Sequence, residues 1–298
     1  IAIGQIEAVR GDVQANVAAM TAMVREAQQR GAEMIAFPEL SLTGYYIGKG
    51  FEDVAITLES EPMTQLRELA HDIHICFGFI EETPSALFYN SAVYLSDGRI
   101  RQLHRKVYLP TYGMFDERRY FGSGWNVGAF ETEIARAAML ICGDAWHLPL
   151  PYLAAHDGAD LLIIPSASSV EGLTDTTPSD RAWEMMCRSY ALTLSCFVVF
   201  INFGGSDGNL TYWGGSLVAG PDGNLIAQSE TSGQDLVIAD LDLGALRRQR
   251  IRLPFRRDDS LAYTLELGRR VMESKMHREP FYDEDVRPPS SMPPPKPR

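Results

Sequence analysis

The chain has little of what builds disulfide-linked, zinc-thiolate or membrane-spanning proteins. Its 298 residues include four cysteines, Cys76, Cys142, Cys187 and Cys196, and no two of them form a CxxC pair. No apolar run approaches the roughly 18 residues of a membrane-spanning helix. The opening segment, IAIGQIEA, predicts a strand rather than a secretion signal. These absences exclude a disulfide framework and a thiolate zinc site, and we expect a reduced, cytoplasmic protein with no bound metal.

Basic residues are also scarce relative to acidic ones. The sequence has 27 Lys and Arg against 39 Asp and Glu, a net charge of -12. Nucleic acids and anionic membranes attract basic surfaces, so neither is expected as a partner. With 45% hydrophobic residues the composition is that of an ordinary globular protein. The partner that remains to be expected is a small molecule.

The order of apolar patterns predicts an α/β protein. Val13, Val17, Met20 and Val24 recur at helical spacing. Short apolar strands alternate with helices in the first and middle thirds, and adjacent strands, YWGGSLVAG among them, follow later. We predict a single domain over residues 1–262 and a C-terminal extension over 263–298. Its end, from about residue 279, holds seven of the 17 prolines and is predicted to be an extended tail.

Three chemically useful side chains follow predicted strands. Glu39 comes after IAFP, Lys106 after RQLHR, and Cys142 after AAMLI. A thiol attacks as the thiolate, so a nucleophilic cysteine needs a base that takes its proton. A carboxylate can be that base, and an ammonium can stabilise a tetrahedral oxyanion. Each residue alone is more typical of a core or a surface, and it is their sequence contexts, taken together, that favour a catalytic role.

The contexts of these residues resemble the Glu–Lys–Cys signatures of the nitrilase, or carbon–nitrogen hydrolase, superfamily. The segments concerned are FPELSLTGY (37–45), HRKVYLP (104–110) and LICGDAW (140–146), and the resemblance extends over roughly residues 1 to 260. It implies that Glu39 is the general base, Lys106 the oxyanion stabiliser and Cys142 the nucleophile. It further implies a four-layer α-β-β-α sandwich, homodimers or higher homo-oligomers, and no cofactor.

Further residues are expected to position the substrate. Glu117, in FDERRYF, matches a second glutamate that many members of the superfamily place beside the triad. The Gly143 backbone N–H is expected to help bind the oxyanion. Three aromatic residues next to the triad segments are predicted to line the pocket, namely Tyr45, Tyr112 and Trp146. Asp144 is predicted to fix the turn after the cysteine by accepting backbone hydrogen bonds.

One branch of the superfamily fits the motifs best. The segment CGDAWHLPLPYLAAHDGADLLIIPSAS and the later RIRLPFRRD are most similar to the glutaminase domain of glutamine-dependent NAD synthetase. The sequence has no Gly-rich nucleotide-binding loop of the kind a synthetase needs, and Gly143 replaces the acidic residue expected in that branch. We therefore predict a free-standing amidase that hydrolyses a primary carboxamide to a carboxylate and ammonia through a cysteine thioester.

Three alternatives stay open at this stage. The first is an N-carbamoyl hydrolase or nitrilase with the same triad; a carbamoyl substrate would release carbon dioxide along with ammonia. The second is a glutaminase subunit that delivers ammonia to a partner synthetase. The third is a non-enzymatic binding protein on the same fold, in which Cys142 would be unreactive.

Overall fold

The structure, a computed structural model, describes residues 1–45, 48–111, 115–170, 178–208 and 210–275. Tyr112 and the proline-rich tail lie outside these ranges. The strands within them are β1 (Ala2–Gln5), β2 (Met34–Ala36), β3 (His74–Glu82), β4 (Phe88–Ser96), β5 (Arg99–Arg105), β6 (Ala137–Met139), β7 (Leu161–Pro165), β8 (Phe197–Ile201), β9 (Leu217–Ala219), β10 (Leu225–Gln228) and β11 (Asp235–Ile238). The helices are α1 (Val13–Gln29), α2 (Glu61–Leu69), α3 (Pro149–His156), α4 (Ser179–Leu194), α5 (Leu243–Arg252), α6 (Phe255–Asp258) and α7 (Leu261–Lys275).

The strands form two mixed sheets. The first has the order β11-β1-β2-β3-β4-β5 and the second the order β10-β9-β8-β7-β6. In each sheet the strands that alternate with helices along the chain pair in parallel, as β1 with β2 and β6 with β7. Strands joined by short turns pair antiparallel, as β3 with β4 and β4 with β5. This follows from chain length, because a parallel connection needs a crossover and an antiparallel one does not.

Side chains alternate between the two faces of each strand and build three apolar layers. Ile3 and Ala36 of the first sheet face Ile163 and Val199 of the second in the central layer. Ile35, on the opposite face of the first sheet, belongs to an outer layer. Because a strand has a period of two, one short apolar run can serve two layers at once. Both faces of both sheets are thereby buried.

Helices cover the outer faces. The apolar stripe of α1, including Val17, Met20 and Val24, packs on the first sheet together with α2. On the second sheet α3 and α4 contribute Ala154 and Trp183 to the other outer layer. The result is a four-layer α-β-β-α sandwich, which confirms the fold that the resemblance implied. The apolar periodicity that predicted α1 marks the face of the helix that is buried.

The predicted strand YWGGSLVAG is shorter than expected. Only Leu217–Ala219 pairs as β9. Gly214 and Gly215, earlier in the segment, both have φ near +65°, a left-handed conformation that does not continue a strand. A Cβ on Gly214 would also lie 2.5 Å from the Thr231 carbonyl oxygen. The two glycines therefore delay the start of the strand.

The chain divides into two compact units. The first comprises Ile1–Arg256 and contains both sheets; the second begins at Arg257, and its described part includes α7. Within the described residues no helix is both long enough and apolar enough to cross a membrane. The cytoplasmic location stays a prediction.

Candidate active site

Glu39 lies on a tight turn that crosses the middle of β3. The chain leaves β2 at Ala36, and Leu40 takes a positive φ of 53°. A Cβ on Gly78 of β3 would lie 2.3 Å from the Leu40 nitrogen and 2.9 Å from the Glu39 Cα atom. A glycine is therefore required at position 78 for this approach. Our sequence analysis missed Gly78; the signal that could have found it is an isolated glycine inside an apolar strand.

Lys106 follows β5 directly, and hydrogen bonds on both sides hold its backbone. Its N–H donates to the Asn90 carbonyl at 2.8 Å, and its carbonyl accepts from the Gly124 N–H at 2.7 Å. A Cβ on Gly124 would lie 2.0 Å from the Arg105 carbonyl oxygen, so this contact also needs a glycine. These contacts fix the point at which the Lys106 side chain enters the interior.

The Lys106 ammonium bridges two buried carboxylates. Its Nζ atom donates to Glu39 Oε1 at 2.6 Å and to Glu117 Oε1 at 2.8 Å. The amide of Asn90 donates to the same Glu39 oxygen at 2.7 Å, and the Tyr45 hydroxyl donates to the same Glu117 oxygen at 2.7 Å. The second oxygens, Oε2 of Glu39 and of Glu117, are buried and have no hydrogen-bond partner among the described residues. Each carboxylate therefore keeps one acceptor oxygen unused.

Burial and charge act against each other in this cluster. Burial lowers the pKa of Lys106, but Glu117 and Glu39 outweigh it and hold that pKa well above its usual value. The lysine is therefore a fixed cation. The pKa of Glu117 is raised to about 7, because burial and the neighbouring Glu39 carboxylate together outweigh the opposing effect of Lys106. Burial and the neighbouring Glu117 raise the pKa of Tyr45, which stays a hydrogen-bond donor.

Cys142 opens the turn that follows β6. It has a positive φ of 44° and is half-buried. A non-glycine residue in this region costs about 1 kcal/mol or more and persists where the surrounding structure enforces it. Burial, followed by the Glu39 carboxylate, raises the pKa of the thiol, while Lys106 and a backbone hydrogen bond from Ala167 oppose them. The resting group is therefore the thiol, and attack requires a base.

Gly143 brings this turn against the lysine. A Cβ at position 143 would lie 3.0 Å from the Tyr108 carbonyl oxygen and 3.5 Å from Lys106 Cε. The absent side chain leaves room for the backbone to approach the lysine stem closely. The two strand ends predicted to carry the cation and the nucleophile are thus neighbours.

The other predicted site residues take different places. Trp146 is about one-third exposed and meets Trp183 edge to face, with ring centroids 5.2 Å apart. Tyr45 is buried with its hydroxyl on Glu117, and Tyr112 lies outside the described residues. Asp144 accepts the Ile141 N–H at 3.1 Å, as predicted for a residue that fixes the turn. Asn90 was missed, because an asparagine inside a strand carries no recognisable signal.

The part of the chain that the structure describes contains no group of three or more His, Cys, Asp or Glu side chains able to hold a metal. The charged groups at the site are the two glutamates and the lysine. Their arrangement suits proton transfer and stabilisation of an oxyanion by a fixed cation.

The protonation of Glu117 gives a test of this electrostatic picture. Between the ordinary value of 4.5 and about 7, the folded protein binds more protons at Glu117 than the unfolded chain does. The free energy of unfolding should therefore fall as the pH rises through this window, by about 1–3 kcal/mol in total. We expect Glu117→Gln to remove this part of the pH dependence.

Urea unfolding of wild type and Glu117→Gln from about pH 4.5 to about pH 8 measures this pH dependence. The titrating groups outside the site are common to both proteins, so the difference between their stability curves reports on Glu117 and the groups beside it. Parallel curves for wild type and Glu117→Gln would contradict the raised pKa.

The four-layer sandwich has the nitrilase-like fold, and comparison with known proteins identifies the family. A structure of a carbon–nitrogen hydrolase from Helicobacter pylori superposes with a TM-score of 0.79 at 22% identity, covering 89% of this chain and 96% of that one. The model of the carbon–nitrogen hydrolase family matches residues 1–251. The chain therefore belongs to the carbon–nitrogen hydrolase family.

Its curated relatives differ in the reactions that their names state. Human omega-amidase is 29% identical over 273 residues, 88% of this chain and 95% of that protein. Citrullinase of Francisella tularensis is 28% identical over 247 residues, 79% of this chain and 86% of that protein. Glutamine-dependent NAD(+) synthetase of Acinetobacter baylyi is 28% identical over 256 residues, 84% of this chain but only 46% of that protein. The chain thus spans about half the length of this synthetase.

Proposed function

We propose that the protein hydrolyses a primary carboxamide to a carboxylate and ammonia, with Cys142 as the nucleophile. One observation carries the proposal. The buried Lys106 cation lies between Glu39 and Glu117, against the turn that carries Cys142, and Glu39 keeps one unpartnered oxygen. Such a site has a base, a cation and a nucleophile within one small region, as acyl transfer requires.

In the first half-reaction the sulfur forms a bond to the amide carbon. Glu39 takes the thiol proton through its unpartnered Oε2 atom, and the thiolate attacks the carbonyl carbon. Negative charge moves to the carbonyl oxygen, where Lys106 and the Gly143 N–H stabilise it. The C–N bond then breaks, Glu39 returns the proton to the nitrogen, and ammonia leaves a thioester on Cys142.

In the second half-reaction water replaces the thioester. Glu39 removes a proton from a water molecule, and the oxygen attacks the thioester carbon. The same cation holds the second oxyanion. The C–S bond breaks, the sulfur recovers the proton, and the carboxylic acid leaves. One amide and one water give one acid and one ammonia, and the enzyme is regenerated.

Two features bear on the substrate. Omega-amidase and citrullinase, which this chain matches over most of their lengths, are named for the hydrolysis of small molecules. A second candidate is favoured by the similarity to glutamine-dependent NAD(+) synthetase, namely an ammonia-donating glutaminase. Glutamine and simple amides present the same carboxamide to Cys142, so the difference between the two functions lies in the acyl group.

Ammonia release from a panel of compounds tests the proposal. The panel contains glutamine, short aliphatic amides, aromatic amides, N-carbamoyl amino acids and nitriles, with carbon dioxide measured alongside. Cys142→Ala is the inactive control. Cys187→Ala is the matched control, because Cys187 is also a buried thiol, on α4, and is not part of the Glu39–Lys106–Glu117 cluster.

We expect turnover of simple amides that is lost in Cys142→Ala and kept in Cys187→Ala. Turnover of glutamine alone, increased by an added synthetase, would favour the ammonia donor. Carbon dioxide released with the ammonia would favour the carbamoyl branch. No turnover, with Cys142 also resistant to alkylation in the folded protein, would overturn the assignment of Cys142.

A further inference from the structure

The segments that carry Lys106 and Cys142 come from different sheets, and one buried carboxylate joins them. Asp144 is fully buried. Its Oδ1 atom accepts the backbone N–H groups of Val107 and Tyr108, both at 2.9 Å. Its Oδ2 atom accepts the Ile141 N–H at 3.1 Å and lies 2.8 Å from Nε2 of His104. These contacts reach beyond the turn that Asp144 was predicted to fix.

The groups that contact Asp144 lie close in sequence to Lys106 and Cys142. Val107 directly follows the lysine, and His104 precedes it by two residues on β5. Ile141 directly precedes the cysteine. Asp144 thus contacts the backbone immediately beside both reacting side chains. A carboxylate has about four acceptor positions, and the four contacts use all of them.

His104, on β5 of the first sheet, makes the one side-chain contact among the four contacts of Asp144. It is buried, and a carboxylate only accepts, so the ring takes the tautomer that carries hydrogen on Nε2. This hydrogen bond holds Oδ2 in place while Oδ1 receives the two backbone N–H groups after Lys106. The contact of His104 with Oδ2 and the backbone hydrogen bonds to Oδ1 therefore hold the Asp144 carboxylate in one orientation.

We propose that Asp144, held by His104, is a positioning residue that fixes Lys106 and Cys142 at reacting distance across the two sheets. The inference rests on the proposed function, because it concerns the geometry between the oxyanion stabiliser and the nucleophile. Asp144 acts through these two residues and does not itself contact the substrate.

Asp144→Asn is the first test. Asparagine keeps the shape but has one acceptor oxygen, so its NH₂ group must face either the Val107 and Tyr108 donors or the Ile141 and His104 donors. We expect kcat to fall about 10- to 100-fold with KM changed less than about 3-fold, because small displacements of reacting groups have effects of this size. Asp157→Asn is the matched control: Asp157 also accepts a backbone N–H, from Ala129 at 2.7 Å, but on the exposed surface.

Two substitutions of His104 separate positioning from packing, and they serve even if Asp144→Asn fails to fold. His104→Phe keeps a ring and loses the donor, whereas His104→Gln loses the ring and keeps an N–H donor. Positioning predicts that the glutamine variant retains the higher kcat. Simple packing predicts the opposite order, since phenylalanine fills the buried space better. The higher kcat for phenylalanine would overturn the proposal.

Alkylation of Cys142 by iodoacetamide distinguishes this proposal from the proposed function. It needs no knowledge of the substrate. We expect a rate about tenfold lower in His104→Phe than in wild type, with His104→Gln between the two. If wild type hydrolyses no amide but these rates differ as expected, the proposed function fails and the positioning role stands. If wild type is active and the rates and kcat values match those of Asp157→Asn, the positioning role fails.

Discussion

Replacing Lys106 with methionine should lower kcat/KM for an amide substrate by at least about 10³-fold. A single neutral oxyanion donor in comparable enzymes contributes about 10²- to 10³-fold. Lys106 supplies a full charge, and it is buried where solvent does not screen it. Methionine has nearly the same length and apolar stem, so the loss can be assigned to the charge and its hydrogen bonds.

The same substitution should also destabilise the fold. Glu39 and Glu117 would remain buried without the cation that lies between them, and breaking a buried ion pair in this way costs about 3–5 kcal/mol. The pKa of Glu117, which Lys106 now holds down, would rise further. Lys106→Met should therefore regain stability as the pH is lowered through the range in which Glu117 takes up a proton.

The neighbouring residue provides the control. Arg105 donates to the buried carboxylate of Glu81 at 2.6 and 2.8 Å, so Arg105→Met also removes a cation from a buried acid. It should lose stability but keep kcat within about 3-fold, because Arg105 does not contact the Glu39–Lys106–Glu117 cluster. Kinetics and urea unfolding of both variants measure this. Equal activity in the two variants would show that Lys106 acts only as a structural cation.

The features that could be predicted from the sequence are those that residues close together in the chain determine. Glu39, Lys106 and Cys142 could be singled out because each follows a predicted strand within a motif that resembles the signatures of the superfamily. The faces of α1 and the layers of the sheets follow from periodicity, which neighbouring residues determine. The shortened β9 was missed because two glycines with positive φ act against an otherwise strand-like segment.

The contacts that organise the site are not local, and for that reason they were missed or only partly anticipated. Asn90 meets Glu39 because β4 pairs with β3 in a particular register, which the sequence does not reveal. Gly78 is required because the Glu39 turn crosses β3 at that point. Asp144 accepts the backbone N–H groups that follow Lys106 because the two sheets stack in a particular way. Such features require the three-dimensional arrangement.

Replacing Glu39 with glutamine should lower turnover by about 10²- to 10⁴-fold, the range that a positioned general base contributes. Glu39 Oε1 accepts from Lys106 and Asn90, and the amide oxygen of glutamine can accept the same two hydrogen bonds. The NH₂ group would take the place of Oε2, which has no partner among the described residues. The fold should therefore be kept while the base is lost.

A second readout separates loss of the base from general damage. Burial is the largest cause that raises the pKa of Cys142; the Glu39 carboxylate adds to it, whereas Lys106 lowers it. Glutamine removes the effect of the carboxylate and keeps that of Lys106, so the thiol of Glu39→Gln should ionise at a lower pH than that of the wild type. Iodoacetamide alkylation against pH should show its midpoint shifted downwards, even though turnover has nearly disappeared.

Glu81→Gln is the matched control for this variant. Glu81 is also a buried glutamate, on β3, but its partners are Arg105 and Ser91. It should leave both turnover and the alkylation midpoint close to those of wild type. A damaged site would lower the alkylation rate of Glu39→Gln at every pH without moving the midpoint. Only a carboxylate that both faces the thiol and takes its proton predicts lost turnover together with a more acidic cysteine.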